Sequence, residues 1–271
     1  MGICCSNGCT KGGGGSGGGA GSCASNFNGV AVLATRDLSL VSGAKVSDWG
    51  GFKQANPDLR PTFGSGENGF VNFAGGQFLD GGELQFNLQS GGGFTAVIVV
   101  KFADWRGSWQ RVIDFGNDAA RGNILFARCG EGAGVAFIIY GLAGNQQCGA
   151  CTGGVINPNA FQTYVLRYNA QSNQWDIMVD GHYIYGQTYC SERPEDRTLT
   201  KTYVGKSHWA NDAPFHGDLK GLYISDGYLS NADTSRIGDA LRYGAKCVCV
   251  CVCVCVCVCV YTYISIYILH T

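Results

Sequence analysis

The chain is 271 residues long, carries a formal net charge of −1, and combines only 14% charged residues with 43 glycines. So few charges, balanced near neutrality, exclude the basic footprint of a nucleic-acid binder. Glycine dispersed among Val, Ile, Tyr, Phe and Trp describes short strands and tight turns, and the length accommodates a single large β-sandwich.

Residues 1–26 open polar and cysteine-containing and run into KGGGGSGGGAGS, a flexible tether that buries no core. No secretory signal is expected, because an apolar run of about seven residues behind a basic start is missing. Met1-Gly2-Ile3-Cys4-Cys5-Ser6 fits M-G-x-x-x-[ST], the pattern for acylation of Gly2. One myristoyl chain holds a membrane only marginally, so Cys4 and Cys5 are the expected palmitate acceptors of a second anchor. That start predicts a membrane partner and the inner membrane surface; without acylation the chain is expected outside the cell or at its surface.

Residues 27–244 read as one β domain. FTAVIVVKF, Phe94 to Phe102, is an apolar run rich in β-branched residues, as a strand buried on both faces requires. RVIDF, ILFAR and VAFIIY predict further strands. In QTYVLRYN, Tyr164, Leu166 and Tyr168 share one face, and in WDIMV, Trp175, Ile177 and Val179 do the same. Asp180-Gly181 between WDIMV and HYIY is a strong hairpin signal, since both central residues of the favoured turn need positive φ. KTYV and DLKGLYI complete the strands. Ser230-Asn231-Ala232-Asp233 forms a capping box that predicts one helix, with Ile237 and Leu241 on its apolar face.

Residues 245–271 are low-complexity. CVCVCVCVCVCVCV, Cys247 to Val260, admits a soft-metal thiolate array, a Val-faced strand prone to edge pairing, or part of an uncharged span, Val248 to Ile268, long enough to cross a bilayer as a helix. A translated TGTGTG dinucleotide repeat accounts for the strict alternation more simply than any of these.

The 15 cysteines are unevenly placed: four precede residue 24, seven lie in the terminal repeat, and Cys129, Cys148, Cys151 and Cys190 lie between. Four are compatible with two bridges, whose connectivity is not readable from sequence. Cys148-Gly-Ala-Cys151 is a single C-x-x-C without the second ligand pair that zinc requires. Free buried thiols, disulfides and metal ligation therefore all stay open.

The order of segments resembles the laminin G-like, concanavalin A-like jelly roll. KVSDWGG, RPTF and GFVNFAGGQFL are similar to that family's opening, FTAVIVVKF to its long central strand, FQTYVLRYNAQSNQWDIMVDGHYI to its Asp-Gly hairpin, and FHGDLKGLYISDGYLSNADTSRI to its last strand and helix. The resemblance covers about 220 residues and implies an all-β, two-sheet antiparallel jelly-roll sandwich with one short C-terminal helix. Two features depart from it: the C-x-x-C within residues 141–160, and the missing secretory signal in a family that is normally secreted.

Relatives that hydrolyse glycosides carry Glu-x-Asp-x-x-Glu on one strand, so that two carboxylates flank the scissile bond. That motif is missing here, the closest glutamates being Glu192 and Glu195 across Arg193-Pro194, and no G-x-S-x-G elbow supports a nucleophilic triad. No catalytic residues are assigned. Candidate ligand contacts are Trp105 and Trp109 in DWRGSW, and His208, Trp209, Asn211 and Asp212 in SHWAND, because an indole face suits the apolar side of a sugar ring and the neighbours supply hydrogen bonds. The same tryptophans would also serve as caps of the sandwich. The resemblance implies calcium at a sandwich rim, for which Asp114, Asn117 and Asp118 are the oxygen donors, although Asx turns use the same residues. The expectation is a non-catalytic recognition or adhesion module for a glycan or a protein surface. The alternatives are a degenerate glycoside hydrolase or lyase, and a purely structural domain.

Overall fold

The computed structural model describes residues 31–35, 38, 40–66, 68–103, 107–243, 248–252 and 256–260. The chain divides into two compact units, one spanning Gly29–Gly244 and one formed by Met1–Asn28 with Ala245–Thr271.

In the first unit the strands are β1 (Ala31–Ala34), β2 (Asp48–Trp49), β3 (Phe52–Lys53), β4 (Thr62–Gly64), β5 (Phe70–Ala74), β6 (Leu79–Asp80), β7 (Leu84–Phe86), β8 (Gly93–Phe102) and β9 (Arg111–Gly116). They continue with β10 (Ile124–Cys129), β11 (Gly134–Tyr140), β12 (Gln146–Cys151), β13 (Gln162–Asn169), β14 (Gln174–Val179), β15 (His182–Tyr189), β16 (Arg197–Leu199), β17 (Lys201–Val204) and β18 (His216–Asp226). Helix α1 (Asn231–Tyr243) follows.

One sheet runs β15-β14-β13-β8-β18-β5-β4, with β1 also paired to β18; the other runs β12-β11-β10-β9-β17-β6-β3-β2, and β16 pairs with β7 apart from both. The pairings are antiparallel. The facing sides of the sheets form one core. The first sheet contributes Phe94, Ile98, Tyr164, Leu166, Trp175 and Ile177, the second Ile113, Phe115, Phe126, Phe137 and Ile139. Strand alternation produces this division, because every second side chain reaches the core. The result is the antiparallel jelly-roll sandwich that the segment order predicts, with one α-helix among the described residues.

The long apolar strand is buried on both sides for a visible reason. Its even-numbered residues enter the core, while α1 packs across β8, β13 and β18 on the other face. The Asp180-Gly181 turn has φ of 48° and 83°, as its two-residue hairpin demands. Ser230 caps α1: its hydroxyl accepts from the Asp233 amide at 3.1 Å and donates to the Asp233 carboxylate at 2.6 Å. Ile237 and Leu241 are buried beneath the helix.

Two disulfides settle the open cysteine question. Cys129 pairs with Cys151 and Cys148 with Cys190, so the C-x-x-C is neither a thiol pair nor a metal ligand set. The first bridge links β10 to β12 within the second sheet. The other ties β12 to the residue that follows β15, and so staples one sheet to the other.

In the second unit, β19 (Val248–Val252) and β20 (Val256–Val260) form an antiparallel hairpin with Cys249 opposite Cys259 and Val250 opposite Val258. The alternating repeat is therefore strand over these residues and not the bilayer-crossing helix considered above. Among the described residues no helix is long and apolar enough to cross a membrane.

Candidate functional site: an aromatic face on the second sheet

The second sheet has its own small apolar cluster on the side away from the core. Leu125, Ala127, Ala136 and Ile138 form its floor, and Trp109, Trp209, Tyr140 and the Cys129 and Cys151 side chains pack on it, partly exposed. A floor of small and aliphatic residues facing outward from a sheet is the unusual feature, because outward positions on such a sheet are ordinarily polar.

A β-bulge builds the centre of this face. Arg111 pairs with Ala127, Ile113 with Phe126, and Asp114 with Leu125, leaving Val112 as the extra residue. Residues three apart on a regular strand point to opposite sides; the bulge puts Arg111 and Asp114 on the same side. Arg111 is 5% exposed and Asp114 is fully buried. The guanidinium carbon of Arg111 lies over the Trp109 ring at 5.2 Å and over the Trp209 ring at 5.1 Å. Its Nη2 contacts Asp212 Oδ2 at 2.8 Å, its Nε faces Asp114 Oδ2 at 3.6 Å, and its Nη1 donates to the Trp109 carbonyl at 3.4 Å.

The loop after β17 is held over this centre. The His208 amide donates to Asp114 Oδ2 at 3.0 Å, and His208 Nδ1 lies 3.1 Å from Asp114 Oδ1, which also accepts from Asn123 Nδ2 at 2.7 Å. The His208 ring stacks on Tyr203 with centroids 4.8 Å apart. Ser207 Oγ donates to Asp212 at 2.7 Å and accepts from the Trp209 amide, while the Ala213 amide donates to the Ser108 carbonyl and so joins the two tryptophan loops. Trp209 packs against Tyr140 at 5.6 Å. Burial holds the Tyr140 phenol above its ordinary pKa; Arg111 opposes this, and Asp114 and Asp212 reinforce it.

Four of the sequence candidates therefore meet: Trp109, His208, Trp209 and Asp212. Asn211 is exposed on the same loop. Trp105 lies outside the described residues, as do Gly2, Cys4 and Cys5. Sequence reasoning missed Arg111, Tyr140 and the apolar floor, which become visible only once β9, β10 and β11 are set side by side.

The calcium set does not fit. The carboxylate of Asp114 faces Asn123, His208 and Arg111 inside the protein, so it supplies no open oxygen. Asn117 Oδ1 accepts from the Thr200 amide and hydroxyl, its Nδ2 donates to the Thr198 carbonyl, and Asp118 accepts from the Ala119 amide, which are local turn bonds. Among the described residues no group of three or more His, Cys, Asp or Glu side chains is placed to hold a metal ion.

The closest glutamates are also committed. Glu195 accepts from the Leu142 amide and Gln147 and pairs with Arg197 at 3.1 Å, while Glu192 accepts from Asn145 at 2.5 Å, so the pair braces the loop between β11 and β12.

No curated protein matches the chain. Among solved structures it is similar to CBM40 of the IT-sialidase of Ruminococcus gnavus bound to α2,3-sialyllactose, at 13% identity and TM-score 0.48 over 62% of this chain and 96% of that one. It is also similar to Trypanosoma rangeli sialidase in complex with sialic acid, at 14% identity and TM-score 0.49 over 78% of this chain and 32% of that one. The NanB sialidase of Streptococcus pneumoniae is matched at 13% identity and TM-score 0.42 over 53% and 23%. A laminin G-like family model, described as the concanavalin A-like lectin/glucanases superfamily, matches residues 64–235. With that match spanning the sandwich from β4 into α1, the chain belongs to the concanavalin A-like lectin/glucanase superfamily.

Proposed function

We propose that the domain is a non-catalytic glycan-recognition module that binds on the outward face of the second sheet, around Trp109 and Trp209. The observation that carries this reading is a pair of partly exposed indoles fixed by one buried guanidinium over an apolar floor. Sugar rings present apolar C–H faces that pack on such rings, and fixed aromatics lose little entropy on binding. The carboxylates support the non-catalytic part. Asp114 has no exposed surface and Asp212 is tied to Arg111 and Ser207, whereas glycoside hydrolysis needs two carboxyl groups that reach the substrate from both sides.

A glycan array probed with the full chain, in calcium and in chelator, tests the reading. Wild type is expected to bind in both conditions, and Trp109→Ala and Trp209→Ala are each expected to weaken binding by about tenfold or more, as central aromatic contacts do. Binding that ignores both substitutions would remove this face from consideration. Release of reducing ends from a bound glycan, abolished by one carboxylate change, would overturn the non-catalytic assignment.

Two disulfides support an extracellular or cell-surface location over the inner membrane surface, because thiols on the cytosolic side are kept reduced. Acylation of Gly2 with palmitoylation at Cys4 and Cys5 is the competing proposal for localisation; labelling of wild type but not Gly2→Ala by an alkynyl fatty acid would favour it.

A further inference from the structure

We infer that Arg111 is a rivet that sets the two indoles and not a receptor for an anionic group, and that the ligand of this face is an uncharged glycan. This rests on the glycan reading above and narrows it. An arginine that captures a carboxylate, sulfate or phosphate offers a free edge with two parallel N–H groups. Arg111 has no such edge. Asp212 takes Nη2 at 2.8 Å, Asp114 faces Nε at 3.6 Å, and Nη1 donates to the Trp109 carbonyl. Indoles flank its planar group from the β9 side and from the loop after β17. With 5% of its surface exposed, the side chain is beyond the reach of an incoming group.

Charge leads to the same conclusion. Two carboxylates, Asp114 and Asp212, face one guanidinium, and all three are largely removed from water, where like-charge repulsion is least screened. Burial raises the Tyr203 phenol above its ordinary pKa, and Asp80, Asp114 and Asp118 add to the shift. An acidic sugar placed over the indoles would bring a further negative charge beside Asp114 and Asp212, which outnumber the one guanidinium between them. Among the described residues, the exposed Lys206, whose ammonium lies 4.4 Å over the Phe78 ring and 4.7 Å over the Tyr203 ring, is a cation that such a ligand could use. The other described groups offered here are uncharged: indole surfaces, the Tyr140 hydroxyl and the Asn211 amide.

The test uses the full chain and a panel in which each neutral oligosaccharide is paired with its sialylated and sulfated derivative, read at low salt and at about 1 M salt, where the Debye length is near 3 Å. Neutral members are expected to bind with little salt dependence, and each acidic derivative about tenfold more weakly. Arg111→Lys is expected to lower affinity for the neutral members about tenfold while keeping their rank order, since an ammonium cannot span two indoles and Asp212 together. Lys206→Gln is expected to leave neutral binding unchanged. Preferential binding of acidic members, weakening with salt and lost in Arg111→Lys or Lys206→Gln, would overturn the inference. The wild-type ranking decides the matter even if the Arg111 variant fails to fold. Silence from every glycan would remove the glycan reading itself, and the inference with it.

Discussion

Arg167 is a second buried cation, on the far face of the first sheet, and its partners differ in kind from those of Arg111. It is fully buried, binds Asp176 at 2.8 Å and 3.1 Å, and also donates to the Leu229 carbonyl, Asn231 and the Tyr183 hydroxyl. Tyr228 lies under its guanidinium at 4.5 Å and donates to Asp176 at 2.7 Å. Removing one partner strands the other charge away from water, so Asp176→Ala is expected to cost about 3–5 kcal/mol in urea unfolding, while replacing both by Met and Leu costs much less. Neither arginine stood out in the sequence, because a charged residue inside an alternating strand reads as a solvent-facing position. The loop residues His208, Trp209 and Asp212 did stand out, since polar and aromatic types cluster there without periodicity. Asp114 was misplaced for a local reason: beside Asn117 and Asp118 it looks like part of an oxygen-rich turn, and only the bulge at Val112 directs its carboxylate toward Arg111 and His208.

At the level of elements, long segments were legible and short ones were not. QTYVLRYN corresponds residue for residue to β13, and the Asp-Gly turn lies where the chain reverses. Strands β2, β3 and β6 have two residues each, too few for any alternation to register. The apolar face of α1 was legible in Ile237 and Leu241, but the close approach of the helix to β13 at Gly238 was not. A Cβ on Gly238 would lie 2.8 Å from Thr163 Cγ2, which is closer than side-chain atoms approach. Gly238→Ala is therefore expected to destabilise the domain in thermal unfolding, even though alanine gains about 0.8–1.0 kcal/mol of helix propensity over glycine. A rise in Tm for this variant would show that the helix can lift off the sheet without loss.

Across the whole molecule, carboxyls held below their usual range occur at the start of α1, where Ser230 and Arg236 lower Asp233, and at Glu195 and Asp196 in the segment before β16. For Glu195, partial burial opposes ionisation, but the Leu142 amide, Gln147 and Arg197 overcome it and hold the carboxyl below its usual range. Asp196 shows the same balance, with desolvation offset by the Ser90 and Gln89 donors. A carboxylate with a depressed folded-state pKa contributes stability that is fully present above the unfolded value of about 4 and is lost as pH falls through the folded value. The urea midpoint is accordingly expected to fall as pH drops below about 4, and Glu195→Gln with Asp196→Asn to flatten that decline.

The placement of the two bridges also dictates how the chain must mature. Cys148 and Cys151 are three apart on β12, yet one opposes Ile139 of the core and the other Ala136 of the outward floor, so they open toward different compartments of the fold. Four thiols allow three pairings. In the unfolded chain loop closure favours near neighbours such as Cys148 and Cys151 over the native separations of 22 and 42 residues. The sheet itself is the template that separates them, Cys148 toward the core and Cys151 toward the outward floor. A chain oxidised before β12 has docked would be trapped with a bridge that cannot thread the sheet, and thiol–disulfide exchange would have to release it.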